Sequence, residues 1–151
     1  MTTKPSSIAF ASLWRVRLPD RLMSQPTRLR SSRHAAFIKQ GGRCYYCSLP
    51  MLPSNDEQEQ VKVNASQHLC TRLRCTAEHL IARSEGGSDK LKNIVAAHAE
   101  CNQRRHRMDT PLQPDRYRKL VQTQVANKCW HSQKALSVMS KLQACTLNTP
   151  H

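Results

Sequence analysis

Cys44-Tyr45-Tyr46-Cys47 and His98-Ala99-Glu100-Cys101 each set two soft donors at a two-residue gap. That gap lets both side chains of a pair reach one tetrahedral ion, and two such pairs close a structural Zn2+ site of the Cys3His kind. Cys70 and Cys75 are rivals for the same role, and a cysteine taken singly reads as a small buried hydrophobe. Cys129 and Cys145 have no partner at ligand spacing and read as packing residues. Glu78-His79, Gly86-Gly87 and Asn93 lie between the two pairs, and Asn102 and His106 follow directly. A histidine exchanges its proton near neutral pH, so His79 is a candidate general base. The Glu78 carboxylate and the Asn102 amide oxygen are hard donors suited to Mg2+ or another divalent cation. His106 comes one helical turn after Asn102, so both can face one ion. Arg104, Arg105 and Arg107 are candidates for phosphate contact, with a solvated basic face as the alternative. His34, His68, His131 and His151 join no such pattern and read as surface histidines.

The elements that must hold these residues follow from periodicity and punctuation. Ser31 or Ser32 can cap a short helix over 33–40 that stops at Gly41-Gly42. Residues 48–68 are polar, with Pro50, Pro53 and an acidic run, and read as a loop or insertion. The alternating, Thr- and Leu-rich run from Leu69 to Ile81 predicts a strand ending near Glu78-His79-Leu80. The 84–89 segment is a turn, Leu91–Val95 a returning strand, and a helix spans about Ala99 to Met108, closed off by Pro111 and Pro114. Apolar positions at Tyr117, Leu120, Val121, Val125, Leu136, Met139 and Leu142 have helical spacing and predict packed helices over 115–145.

Composition narrows the classes. In 151 residues, 38% are hydrophobic and 5% aromatic, so the core is small and a structural metal or exposed arms are expected. No run approaches the eighteen apolar residues that a spanning helix needs, so no membrane partner is expected. The net charge of +14 points to a polyanion, most simply nucleic acid. Residues 1–40 hold eight Lys/Arg against one acid and residues 111–151 six against one, while 41–110 hold ten against eight. A near-neutral centre with basic flanks fits a site with gripping extensions. The odd count of seven cysteines, with no secretory signal read at the N-terminus, argues for thiols and metal rather than disulfides. Residues 1–33 read as a disordered basic arm, as an organelle transit peptide, or as sequence ahead of a true start at Met23.

Taken together, the Cys44/Cys47 pair, Glu78-His79, Gly86-Gly87, Asn93 and the His98/Cys101-Asn102 run resemble the HNH, or ββα-metal, endonuclease family over roughly residues 34–108. Two departures stand out: Glu78 sits where Asp is usual, and His98 where Cys is commoner. The resemblance implies a small α+β fold, a ββα-metal finger with a zinc knuckle over 34–110, flanked by the 1–33 arm and a helical extension over 111–151. It implies hydrolysis of phosphodiester bonds, in double-stranded DNA by expectation, with His79 as base and a divalent ion at Glu78 and Asn102. It further implies His106 as an additional ligand and Asn93 as the residue that holds the local backbone and orients the base. A catalytically inactive nucleic-acid-binding module on the same scaffold is the alternative. A cytoplasmic, nucleoid-associated protein is the expected location.

Overall fold

Gly41 and Gly42 fix where the first helix stops. The computed structural model describes residues 25–54 and 64–147, and in it α1 spans Gln25–Lys39. The two glycines then take φ +59° and +69°, a left-handed region that side chains disfavour, and turn the chain into the Cys44–Cys47 knuckle. The helix begins earlier than expected, so residues 25–33 are its first turns and not part of a disordered arm. Ser32, expected as a cap, lies buried within α1 and donates to the Asp89 carbonyl at 2.6 Å. The rest of the arm, 1–24, is outside the described residues, as are the three readings attached to it.

The predicted long strand over 69–81 is divided. Ser66 caps α2, Gln67–Leu73, by accepting the Leu69 N–H, and β1 occupies only Cys75–His79. Packing decides this: Leu73 is fully buried, with Leu69 and Cys70 against it, in a cluster built with Leu52, Ala135, Val138, Met139 and Leu142. A helix brings positions four apart to one face, and the Thr content of the run disguised that. β1 pairs antiparallel with β2, Ile94–His98, in a register running from Cys75 opposite His98 to His79 opposite Ile94. The return strand starts three residues later than expected because Leu91–Asn93 forms a 3-10 turn.

Three helices follow: α3 (Ala99–His106), α4 (Pro114–Ala126, with Pro114 in its first turn) and α5 (Gln133–Leu147). Tyr117 and Val121 enter a core with Tyr46, the knuckle cysteines, Ala96 and Ala97, whereas Leu120 stays 43% exposed. Among the described residues, no helix is long and apolar enough to cross a membrane. The result is a small α+β fold in which a two-stranded sheet and α3 hold most of the candidate site residues.

Candidate metal centre and active site

The knuckle loop and the β2–α3 junction bring Cys44, Cys47, His98 and Cys101 together, all buried, with ligand atoms within 4.8 Å of one another. Thiolates around a tetrahedral zinc stand about 3.8 Å apart, so a small inward adjustment closes the set. His98 presents Nδ1 to Cys47 Sγ at 3.3 Å, while its Nε2 donates to the Pro50 carbonyl at 3.0 Å, which fixes the tautomer a ligand needs. Trp130 Nε1 donates to Cys101 Sγ at 3.3 Å. Burial opposes charge on His98, yet Cys44 and Cys47 beside it push its pKa up to about 10. Cys47 is pulled down by donation from Cys101 and Cys44, and Cys101 is pushed up. A group that collects positive charge this strongly could hold a metal ion. Cys70 and Cys75 stand outside it, and Cys129 is exposed.

Consecutive residues on a strand face opposite ways, and Glu78 and His79 do so here. Glu78, 1% exposed, turns toward α3. Its Oε1 accepts from Tyr46 Oη and from Arg105, each at 2.6 Å, and its Oε2 lies 3.0 Å from His106 Nε2. Burial and the neighbouring Glu78 charge push the Tyr46 hydroxyl far up, so it remains a donor. Two cis ligands of an octahedral ion at ~2.1 Å stand ~3.0 Å apart, which matches the Oε2–Nε2 edge. Asn102 sits one turn before His106 on α3 and donates through Nδ2 to Thr76 Oγ1 and the Ala77 carbonyl, both at 3.2 Å. Glu78 Oε2 and His106 Nε2 thus form an edge that a hard divalent ion could span, with Asn102 one turn away on the same helix. The fit is one-sided, because Oε1 is already taken.

His79 faces the other way. Its Nε2 lies 2.8 Å from Asp89 Oδ1, and Arg83 forms a fork on the same carboxylate through 2.8 and 2.9 Å bonds. Arg83 Nε is also 3.3 Å from His79 Nε2. The shorter contact decides the tautomer: Nε2, 2.8 Å from a carboxylate oxygen, carries the proton, the 3.3 Å approach of Arg83 Nε is then no hydrogen bond to it, and Nδ1 is the acceptor. Donation from His79, then from Arg83, holds Asp89 below the usual carboxylate range. Asn93 ties the intervening loop at both ends: Nδ2 donates to the Ile81 and Ser88 carbonyls at 3.0 Å, and Oδ1 accepts the Ile81 N–H at 2.8 Å. Gly87 is required there, since a Cβ would fall 1.8 Å from the Ile81 oxygen. Among the described residues, no hydrogen bond joins His79 to Glu78, Asn102 or His106.

The three arginines divide. Arg105, expected at phosphates, is 7% exposed and spent on Glu78 and on the Leu112 carbonyl at 2.9 Å. Arg104 bonds Glu100 and the Trp130 carbonyl and lies over the Trp130 ring, while Arg107 is exposed. His131, read as a surface histidine, is instead buried, its side chain 0% exposed and 3.5 Å from Glu100 Oε2; His34 and His68 are exposed, and His151 is outside the described residues. Asp89, Tyr46 and His131 were missed in the sequence. Only Asp89 had a local signal, as the last residue of the Gly-rich turn.

With this geometry in view, the comparison with known families is direct: residues 65–108 match the family model described as HNH endonuclease. This segment of the chain is similar to HNH domains. It runs from α2 past the end of α3 and includes Glu78, His79, Asn93, His98, Cys101, Asn102 and His106, but not Cys44 or Cys47. No curated protein and no solved structure matches the chain.

Proposed function

We propose that this chain is a metal-dependent endonuclease that hydrolyses phosphodiester bonds in double-stranded DNA. The Asp89–His79 pair carries the reading. Asp89 holds Nε2–H, so Nδ1 keeps a lone pair for a water proton, and the same carboxylate stabilises the imidazolium that results. Arg83 and Asn93 hold Asp89 and its loop, so the imidazole is oriented before substrate arrives. Glu78, Asn102 and His106 would hold Mg2+ or another divalent ion, which supplies positive charge against the scissile phosphate. Cys44, Cys47, His98 and Cys101 would hold a structural Zn2+. The products would be a 5′-phosphate and a 3′-hydroxyl, and the location proposed is the cytoplasm, on the nucleoid.

One observation favours a second reading, a zinc-stabilised nucleic-acid-binding module without cleavage. Arg105 already neutralises Glu78, the residue that departs from the family's Asp. Plasmid nicking with added Mg2+ or Mn2+ separates the two. His79→Ala is expected to lower cleavage by about 10²–10⁴ with binding retained. Glu78→Ala and Asn102→Ala are expected to recover partly as the divalent ion is raised, and His79→Ala is not. Equal cleavage by wild type and His79→Ala would remove the mechanism; binding with no cleavage by either establishes the second reading.

A further inference from the structure

Away from the Glu78 and His79 faces, α2 and α3 enclose a polar pocket of about 310 Å³ lined by His68, Arg72, Glu100, Gln103, Arg104 and Arg107. Residues 100, 103, 104 and 107 share one side of the helix and its continuation, beside the side that carries Asn102 and His106. Three guanidinium groups face one carboxylate, so the pocket holds an excess of positive charge. That carboxylate is the foundation: Glu100 is 5% exposed, and its Oε1 accepts from both Arg72 and Arg104. Its Oε2 is turned toward His131 Nδ1, which joins the pocket floor to the wall of the cysteine cluster.

The arginines are thereby positioned without being used up. A guanidinium carries five N–H donors; Arg72 gives one to Glu100, and Arg104 gives one to Glu100 and one to the Trp130 carbonyl at 2.9 Å. Stacking of Arg104 4.5 Å from the Trp130 ring centre fixes its plane. Their side chains remain 34% and 38% exposed. Planar donors held at the rim of a concave, basic pocket match the oxygens of a phosphate better than a flat lysine-rich surface does.

We infer that the α2–α3 pocket binds a backbone phosphate of the nucleic acid, a few nucleotides from the bond that the HNH domain addresses. The inference rests on the nucleic-acid reading above, and the test keeps the two apart. A fluorescein-labelled DNA duplex is titrated by anisotropy between 50 and 200 mM salt, with full-length His79→Ala as parent so that the duplex stays intact. Gln103→Glu places a negative charge in the pocket from an exposed position and disturbs no buried contact; Arg72→Gln/Arg107→Gln removes two of the cations. Each is expected to weaken binding about tenfold, and the double variant to lower the slope of log K against log salt by about 0.9, the release accompanying one phosphate contact. Unchanged melting temperature and metal content for Gln103→Glu establish that its loss is not unfolding. If the parent binds and both variants match it in affinity and slope, the pocket assignment is overturned and the nuclease reading stands. A parent that binds no nucleic acid overturns both. Displacement of the duplex by polyglutamate as readily as by unlabelled DNA overturns the phosphate assignment in favour of an acidic protein.

Discussion

The β1–β2 hairpin is finished differently at its two ends. At the Cys75/His98 end the side chains gathered around His98 are thiols, and burial alone leaves them competing for protons. At the His79/Ile94 end the carboxylates arrive with counter-charges from the chain: Arg105 for Glu78 and Arg83 for Asp89. The first end gathers four donor atoms that a metal ion from outside the polypeptide could draw together. The second is charge-paired beforehand, which orients its groups and leaves Glu78 Oε1 already engaged. Clustered soft donors are thus suited to building structure around a metal, and hard donors with countercharges to holding a fixed geometry.

The sharpest way to break this contrast is to remove the donors at the first end. Cys44→Ser/Cys101→Ser should lose the bound metal and the cooperative fold together, as should chelation of the wild type, because binding energy in such sites is folding energy. Metal analysis with circular dichroism checks it; a folded, metal-free double variant would contradict it. At the second end, Arg105→Gln should cost about 3–5 kcal/mol in urea unfolding by leaving a buried carboxylate unpaired. Arg105→Gln/Glu78→Gln should recover most of that loss. Asp89→Asn should leave stability and metal content nearly intact while reducing cleavage about 10–100-fold.

The smallest effect concerns acid. Glu100, whose folded pKa lies near 2 against an ordinary value of 4.5, contributes stability that is complete above about pH 4.5. It is lost as pH falls from there toward 2, because the unfolded chain takes up the proton first. Glu100→Gln should flatten that limb of the stability profile in acid titrations monitored by fluorescence, and leave its shape near pH 7 unchanged.

The clustering of Cys44, Cys47, His98 and Cys101 was legible in the sequence because their spacing within each pair is the one a tetrahedral ion requires. Asn93 and the Gly-Gly turn were legible through a family pattern that encodes one loop. The partners were not. Tyr46 reaches Glu78 across 32 residues and Arg105 reaches it across 27, so neither leaves a mark on local spacing. Arg105 sits between two arginines that look identical in the sequence, and only helix phase turns it inward. His131 belongs to a turn between α4 and α5 whose burial depends on Trp130 and α3 being in place. The misread segment, Leu69–Leu73, failed for the same reason: its fate depended on Leu52 and α5, which no local window contains.

Gln40, just past α1, makes a pairing whose effect extends beyond a single molecule. Its amide accepts the Ala96 N–H at 2.9 Å and donates to the Ala96 carbonyl at 2.8 Å, as a neighbouring peptide group would. The Tyr45 N–H reaches the same carbonyl at 2.9 Å. The free side of β2 is thus closed at its midpoint by a side chain imitating main chain, and a sheet of two strands presents no open rung there for another copy to extend. For a chain with so small a core, that removes one route to edge-to-edge aggregation of the folded protein.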